Sequence, residues 1–257
     1  MLFGISNLNV IPMRSDSGNN FEIINQILFG EHFKVLKKKS KWLKVELFHD
    51  SYSGWILSNQ VIEINKKEYD HLCSNELYIN NNLIDAISSE NGNMIPIIIG
   101  SILPNYNNGK FNLNNTIYSF DNAHRIQENS KKNQIINSAY IYLNSPYLWG
   151  GRTPFGIDCS GFTQMVYRLN GINLPRDSVK QVECGKTLSF VDEAEAGDLA
   201  FFDDSDGKIV HVGIILENKR IIHSSGKVRI DKLDQQGIFN VDLKIHTHNL
   251  RLIKQIF

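Results

Sequence analysis

Hydrophobic and polar residues alternate in short runs through the first part of the chain. Four segments are rich in β-branched and aromatic residues and are separated by glycines and polar pairs: residues 25–31, 33–36, 42–47 and 54–57. Short strands at this spacing are typical of a small β-barrel, which we predict for residues 1–64. The lysine-rich stretch at residues 37–41 lies between two of these strands and is interpreted as a solvated hairpin tip.

Residues 65–128 repeat this pattern with weaker strand signals. Asparagine-rich turn clusters flank three apolar runs, at residues 83–87, 95–99 and 116–120. Apolar runs of this kind argue for folded structure rather than low complexity. A second small β-domain is therefore predicted here.

The pattern changes near Gln127 from strand-like alternation to helical spacing. Apolar positions predict one helix over residues 131–143 and another from Cys159 to about residue 169. Strand-like runs follow at residues 199–202, 210–216, 220–223, 228–230 and 248–253. Helices followed by antiparallel strands predict an α+β unit over residues 129–257.

Composition limits the class of partner. Hydrophobic residues make up 42% of the 257 residues, and 27 basic side chains balance 27 acidic ones. This balance supports a buried core but offers no broad basic face for nucleic acid or an anionic membrane. No stretch approaches the roughly 20 apolar residues of a membrane span. A small polar ligand is the expected partner.

The cysteines indicate a reducing compartment. Cys73, Cys159 and Cys184 are odd in number and lack the spacing of a disulfide framework. The first twelve residues lack a positive leader and a continuous apolar run, so they make a poor signal peptide. We expect a cytoplasmic protein, with Cys73 and Cys184 as small apolar fillers.

Cys159 carries the strongest chemical signal. It precedes an apolar helical stripe, so its thiol is expected in the first helical turn, where unpaired backbone N–H groups favour an anion. Such a site is expected to lower the thiol pKa from about 8.5 into roughly the 3.5–7.5 range. The Cys159 N–H is a candidate oxyanion donor. Four nearby glycines favour an accessible loop over a buried structural thiol: Gly150, Gly151, Gly156 and Gly161.

Two histidines downstream complete a candidate catalytic set. His211 opens an otherwise apolar strand, and His223 ends the next one. Adjacent antiparallel strands would place the two rings together, with His211 as general base for Cys159 and His223 fixing its tautomer. Zinc is the competing interpretation, but structural sites use close ligand pairs that this chain lacks, and no metal is expected. His246 and His248 are interpreted as surface or local pairing.

At these residues the chain resembles the NlpC-type cysteine peptidases, which cut bacterial cell-wall peptides. The resemblance lies in six segments that follow the family's order: residues 147–151, 156–162, 174–178, 197–202, 211–214 and 223–226. It implies a papain-like fold with Cys159 as nucleophile, His211 as base and His223 as orienting residue. No cofactor is implied.

A narrower resemblance is to γ-D-glutamyl-L-diamino acid endopeptidases of the dipeptidyl-peptidase VI type. These carry bacterial SH3-like domains ahead of the catalytic unit and release L-Ala-D-Glu from murein peptides with a free N-terminal L-alanine, in cell-wall recycling. The overall fold implied is α+β, with two small SH3-like β-barrels before a papain-like domain. The substrate pocket implied by the resemblance comprises Glu31, Tyr52, Tyr147, Trp149, Asp158, Ser160, Arg176, Asp177 and Ser178.

The charges in this set have more than one interpretation. A free ammonium needs carboxylates, which Asp158, Asp177 and Glu31 would supply. Arg176 would face the α-carboxylate of glutamate or pair with a neighbouring aspartate, and a salt-bridge network within the loops is the structural alternative. The diamino acid, the oligomeric state and the role of the second β-domain stay open.

Three other functions are weighed against this peptidase. A broader peptidoglycan hydrolase or amidase of the same fold would require export. A circularly permuted lipid acyltransferase would place histidine before cysteine. A catalytically silent wall-binding module is disfavoured because Cys159, His211 and His223 are all present.

Overall fold

The structure is a computed structural model that describes residues 2–126 and 132–256. Its contacts group the chain into two units, residues 1–127 and 128–257, which are described separately. The predicted domain boundary between residues 128 and 129 lies outside the described residues. So does Lys131, where the first helix was expected to begin.

One antiparallel sheet contains the strands of residues 2–64. These are β1 (Leu2–Ser6), β2 (Val10–Arg14), β3 (Ile23–Leu28), β4 (His32–Lys39), β5 (Trp42–Leu47), β6 (Ser53–Leu57) and β7 (Val61–Ile64), in the order β3-β2-β6-β5-β4-β1-β7. Alternate side chains point into a shared core that contains Ile11, Val45 and Ile56. The lysine stretch differs from its prediction, because Lys37 to Lys39 are exposed residues of β4 and the turn follows at Ser40.

Residues 65–126 begin with a helix that the sequence interpretation missed. Helix α1 (Lys66–Ser74) starts with a capping box, in which the Asn65 side chain accepts from the Glu68 N–H and the Glu68 carboxylate accepts from the Asn65 N–H. The strands that follow are β8 (Tyr78–Asn80), β9 (Ile84–Ser89), β10 (Met94–Ile98), β11 (Lys110–Leu113), β12 (Thr116–Ser119) and β13 (Ala123–Arg125). They form a four-stranded sheet, β10-β9-β12-β11, and a pair, β13-β8.

The two β-rich parts of the first unit share a core. Ile5 and Phe29 pack in one cluster with Ile87, Ile97 and Phe111 from the later part. A boundary near residue 64 therefore separates the two sheets but cuts through a shared hydrophobic core. The division of residues 1–128 into two domains stays a prediction.

The second unit places its helices before most of its strands. Its elements are α2 (Lys132–Ile141), β14 (Arg152–Thr153), β15 (Gly156–Ile157), α3 (Cys159–Arg168), α4 (Ser178–Gln181), β16 (Lys186–Leu188), β17 (Leu199–Asp203), β18 (Ile209–Leu216), β19 (Arg220–Ser225), β20 (Lys227–Leu233), β21 (Gly237–Asn240) and β22 (Ile245–Gln255). The main sheet has the order β16-β22-β17-β18-β19-β20-β21. Because β21 also pairs with β22, the last six strands of this order close into a ring.

Helix α3 is the central helix of this unit. Every one of its residues is buried, and Phe162, Met165 and Val166 are fully enclosed. It contacts α2, β18 and β19, so its first residue is held against the sheet. Among the described helices, none is both long and apolar enough to cross a bilayer.

Candidate active site

Asp158 fixes the start of helix α3 and hence the position of Cys159. It is the N-cap residue, with extended backbone, and its Oδ1 accepts a hydrogen bond from the Gly161 N–H at 2.7 Å. Its Oδ2 accepts another from the Gly150 N–H at 2.8 Å. One carboxylate thus ties the preceding loop to the first helical turn, and Cys159 is the first helical residue, as the sequence predicts.

The same carboxylate pairs with Arg176. One guanidinium nitrogen donates to Asp158 Oδ1 at 2.9 Å and the other donates to Oδ2, while Ser160 Oγ accepts from Arg176 at 2.9 Å. The side chains of the pair are 1% and 6% exposed, so the pair is buried. Of the two interpretations left open for Arg176, pairing with a neighbouring aspartate is the one that the structure shows.

Glycines around the thiol serve close packing rather than open access. A Cβ at Gly151 would lie 2.3 Å from the Gly156 carbonyl oxygen, and one at Gly161 would lie 2.3 Å from the Gly151 carbonyl oxygen. The loop therefore rests directly on the helix start, which corrects the expectation of an open loop. Cys159 is 7% exposed and thus buried.

The Cys159 thiol rests in its protonated form. Burial, followed by the negative charge of Asp158, raises its pKa to about 12, while the backbone N–H groups of Val212 and Ser160 and the charge of Arg176 act in the opposite direction. This result contradicts the expectation of a thiol pKa lowered by the helix start, because desolvation outweighs the favourable N–H groups. The influence of the Val212 backbone places the sulfur beside β18, at the residue that follows His211.

A hairpin brings the two predicted histidines into contact. Strands β18 and β19 pair with Gly213 opposite His223, so His211 and His223 share one face of the sheet. His211 Nε2 lies 2.8 Å from His223 Nδ1, and the two rings meet edge to face. The hairpin prediction for this pair is confirmed.

Asp231 extends the histidine pair, and the sequence interpretation missed it. Its Oδ2 lies 3.0 Å from His223 Nε2 and accepts from Arg229 Nε at 2.6 Å, while its Oδ1 accepts from the Val241 N–H at 2.9 Å. Burial alone would raise the pKa of Asp231, but the hydrogen bonds from His223, Arg229 and Val241 outweigh burial and lower it. The sequence offers only an aspartate in a strand of mixed polarity, Lys227–Leu233, and its partner depends on the β19–β20 register.

His248 stacks on His211. The ring centroids are 4.2 Å apart and the planes differ by 28°. His248 does pair locally, with Nδ1 at 2.9 Å from Thr247 Oγ1, but the prediction missed its stacking on His211. His246 also pairs locally, with Asp234 at 2.9 Å. Burial is the first cause that lowers the pKa of His248, to about 4.

Both core imidazoles of this cluster are held neutral. Burial, then the charges of His223 and His248, lowers the pKa of His211 well below its usual 6.5. Burial also lowers the pKa of His223, against the opposing hydrogen bond and charge of Asp231. Across residues 2–126 and 132–256, no group of three or more His, Cys, Asp or Glu side chains is arranged to hold a metal ion.

Two protein-family models match the sequence of this chain. The NlpC/P60 family model matches residues 144–246, which span the cysteine, both histidines and Asp231. Residues 144–246 form an NlpC/P60 domain. The model of the bacterial dipeptidyl-peptidase SH3 domain matches residues 14–61, which confirms the predicted resemblance for both parts.

Relatives and solved structures resemble the chain over most of its length. It is 29% identical over 218 residues to a γ-D-glutamyl-L-lysine dipeptidyl-peptidase of Bacillus subtilis, covering 79% of this chain and 72% of that protein. It is 25% identical to dipeptidyl-peptidase 6 of Lysinibacillus sphaericus, covering 84% and 86%. An NlpC/P60 family protein from Bacillus cereus shares the fold, with a TM-score of 0.84, 19% identity and 99% coverage of both chains.

Of the other predicted pocket residues of the NlpC/P60 domain, Tyr147 is the one that the structure places beside Cys159. Burial, then the charges of Cys159 and Asp158, raises the pKa of the Tyr147 phenol to about 12, so this ring lies beside the nucleophile. Trp149 is 59% exposed. Asp177 and Ser178 form the N-cap and first residue of α4.

The two remaining pocket residues belong to the first unit. Glu31 is fully buried after β3, and its Oε2 accepts from the Leu28 N–H at 3.0 Å. Tyr52 packs partly buried against the barrel core. Their roles toward a substrate stay predictions.

Proposed function

We propose that this protein is a cysteine peptidase that hydrolyses the bond between γ-D-glutamate and a diamino acid in murein peptides with a free N-terminal L-alanine. The observation that carries the proposal is Cys159 at a helix start beside the strand of His211, with His211 linked to His223 at 2.8 Å. The named activity of the Bacillus subtilis relative supports the choice of bond.

His211 acts as the general base of the reaction. The thiol and the imidazole both rest neutral, so the proton leaves sulfur for the free nitrogen of His211 as sulfur attacks the carbonyl carbon. The Cys159 N–H donates to the oxyanion that forms. Collapse of this intermediate leaves a thioester and expels the diamino acid amine, which takes the proton from His211. Water then attacks the thioester carbon with His211 again as base. The C–S bond breaks, L-Ala-D-Glu leaves, and the proton passes from His211 to the sulfur of Cys159.

In this proposal, Asp177 is the carboxylate of the NlpC/P60 domain that recognises the free amine. Asp158 already accepts from Gly150, Gly161 and Arg176 inside its own domain, so its oxygens are engaged. The roles of Glu31 and Tyr52 toward the alanine stay predictions from the resemblance. Tyr147 and Trp149 form the aromatic walls of the pocket, with Ser160 and Ser178 as polar contacts.

The proposal includes architecture and location. The NlpC/P60 domain has a papain-like arrangement, and residues 65–128 are a second SH3-like barrel behind the first. The protein acts in the cytoplasm on short peptides returned from the wall. No exchangeable cofactor takes part.

Mass spectrometry of products from synthetic peptides tests the function. L-Ala-γ-D-Glu-meso-diaminopimelate and its lysine counterpart are compared with their N-acetylated forms and with intact peptidoglycan. Release of L-Ala-D-Glu from the free-amine peptides alone is expected. Equal cleavage of the acetylated peptides would refute amine recognition, and cleavage of intact peptidoglycan would favour the broader hydrolase.

Two cysteine variants separate catalysis from wall binding. Cys159→Ala is expected to abolish product formation, and Cys184→Ala, at a half-buried thiol outside the site, is the matched control. Peptidoglycan binding without any cleavage by the wild type would instead indicate a silent binding module.

A further inference from the structure

Asp231 ends a chain of hydrogen bonds that starts at His211. The chain runs from His211 Nε2 to His223 Nδ1 at 2.8 Å, and from His223 Nε2 to Asp231 Oδ2 at 3.0 Å. His211 is 5% exposed, and His223 and Asp231 are 1% exposed. Few water molecules can therefore compete for these positions, and each nitrogen must either donate or accept within the chain.

Asp231 determines which atoms donate and which accept along this chain of hydrogen bonds. Asp231 also accepts from Arg229 Nε at 2.6 Å, from Arg229 Nη2 at 2.9 Å and from the Val241 N–H at 2.9 Å. A carboxyl group that receives these N–H donors is ionised and can only accept. His223 Nε2 must therefore carry a hydrogen and donate it to Asp231.

One proton position then determines the next. A neutral His223 with its hydrogen on Nε2 has only a lone pair on Nδ1, so His211 Nε2 must donate to it. A neutral His211 with its hydrogen on Nε2 has an unprotonated Nδ1, which carries a lone pair. The remaining ring nitrogen of His211 is thus the basic one.

We propose that Asp231 is a positioning residue that fixes the tautomers of His223 and His211 in series, and so makes Nδ1 of His211 the general base for Cys159. The proposal rests on the peptidase function proposed above. When Nδ1 takes the proton from sulfur, the imidazolium that forms is stabilised through His223 by the carboxylate of Asp231.

Other charged and titratable groups around Asp231 belong to the same network. Arg229 of β20 pairs with Asp231 and also with Asp242, at 2.9 Å. His248 of β22 stacks on His211 and meets the ring of His223 edge to face. Arg229 opposes a positive charge on His223, and Asp231 favours it. Within the described residues, Asp231 is thus the anion that stabilises a positive charge on His223.

Asp231→Asn is the decisive variant. The asparagine amide can donate to His223 Nε2, which would move the His223 hydrogen to Nδ1 and the His211 hydrogen to Nδ1 as well. We expect kcat for the tripeptide to fall on the order of a hundredfold, with little change in KM. Asp234→Asn is the matched control, since it neutralises a carboxylate that contacts a different histidine of this sheet, His246 at 2.9 Å.

Nitrogen NMR of histidine-labelled protein reads the tautomers directly. The wild type is expected to show hydrogens on Nε2 of both His211 and His223, and Asp231→Asn to show the Nδ1 forms. A wild-type His223 with its hydrogen on Nδ1 would overturn the proposal, and so would an unchanged kcat in folded Asp231→Asn. If that variant does not fold, the wild-type spectrum alone decides.

Alkylation of Cys159 by iodoacetamide separates this proposal from the peptidase function. Peptide mass spectrometry follows Cys159 apart from Cys73 and Cys184, and no peptide substrate is needed. Slower alkylation in Asp231→Asn near pH 7, with no tripeptide cleavage by the wild type, would refute the function and support the positioning role. Cleavage by the wild type together with unaltered tautomers in Asp231→Asn would support the peptidase function and refute the positioning role.

Discussion

The buried pair between Asp158 and Arg176 yields the sharpest stability prediction. Asp158→Asn removes the charge but keeps a side chain that caps helices well, so the hydrogen bond from the Gly161 N–H is retained. What is lost is the Oδ2 acceptor, with the charged contact to Arg176 at side-chain exposures of 6% and 1% and the hydrogen bond from the Gly150 N–H. The variant therefore keeps the helix cap and removes the ion pair together with the Gly150 hydrogen bond.

The expected loss is large because the arginine stays buried. Removing one partner of a buried pair costs about 3–5 kcal/mol, since the other charge keeps its desolvation cost without its main counterion. Asp158→Ala would cost about 1 kcal/mol more, for the lost cap. Glu183→Gln is the control from the same unit. Its pair with Lys180 is 62% and 63% exposed, and such a pair is worth about 0–1 kcal/mol.

Hydrogen exchange in increasing urea measures this effect in the second unit alone. Peptides that cover α3 report its opening free energy by mass spectrometry. A loss in Asp158→Asn within about 1 kcal/mol of that in Glu183→Gln would refute the reasoning. If Asp158 instead bound the substrate amine, the variant would raise KM and leave the exchange of α3 unchanged.

Three predictions concern ionisation. Because burial raises the Cys159 pKa to about 12, iodoacetamide should label Cys159 more slowly than free cysteine at pH 7 and faster as pH rises; rapid labelling at pH 6 would contradict the neutral resting pair. Because burial lowers the His211 pKa well below 6.5 and the base must be unprotonated, kcat/KM should stay level from pH 7 to pH 6 and fall only in stronger acid; a fall centred above pH 6.5 would contradict this. Burial lowers the pKa of His248 to about 4, so between pH 6.5 and pH 4 the unfolded chain binds more protons than the native one, and acid destabilises the fold. The Tm of His248→Phe should therefore fall less from pH 7 to pH 5 than the Tm of the wild type. The control is His124→Phe, at an exposed site, whose Tm should fall as much as that of the wild type.

Local periodicity was sufficient for the elements that carry the nucleophile and the histidine pair. The apolar stripe from Phe162 to Leu169 predicts a helix that begins at Cys159, and the structure has that helix at Cys159–Arg168. The apolar runs around His211 and His223 predict a hairpin, and the structure pairs these strands. In both cases the information lies within a dozen or so neighbouring residues.

Residues that act across distant strands escaped the sequence interpretation. Asp231 reaches His223 because β19 and β20 pair in a register that places Asp231 opposite Ile221. His248 reaches His211 from β22, which lies beside β17 rather than beside β18. No local pattern encodes such a register, and a histidine in an alternating strand looks like any surface residue.

Helix α1 was missed for a different reason. Its buried side chains are limited to Tyr69, so it lacks the apolar stripe from which helices were predicted. Its signal was the pairing of Asn65 with Glu68 three residues later, a capping box that marks a helix start even in a polar segment.

The error over the Cys159 pKa shows how desolvation competes with a helix start. First-turn N–H groups favour a thiolate wherever the helix lies, and this much is readable from the sequence. Burial of α3 and the proximity of Asp158 act against the thiolate, and both depend on the tertiary fold. A sequence can therefore indicate which groups favour the charge without indicating how much water remains to support it.

Two carboxylates act on the proton transfer in opposite directions. Moving a proton from Cys159 to His211 creates a thiolate near Asp158 and an imidazolium linked through His223 to Asp231. Asp158 disfavours the thiolate, because both are negative, and Asp231 favours the positive imidazolium. Arg176 lessens the first effect, because it pairs with Asp158 and itself lowers the thiol pKa. The free protein therefore keeps Cys159 and His211 neutral. Proton transfer from Cys159 to His211 would become favourable when the thiolate reacts with a substrate carbonyl as it forms.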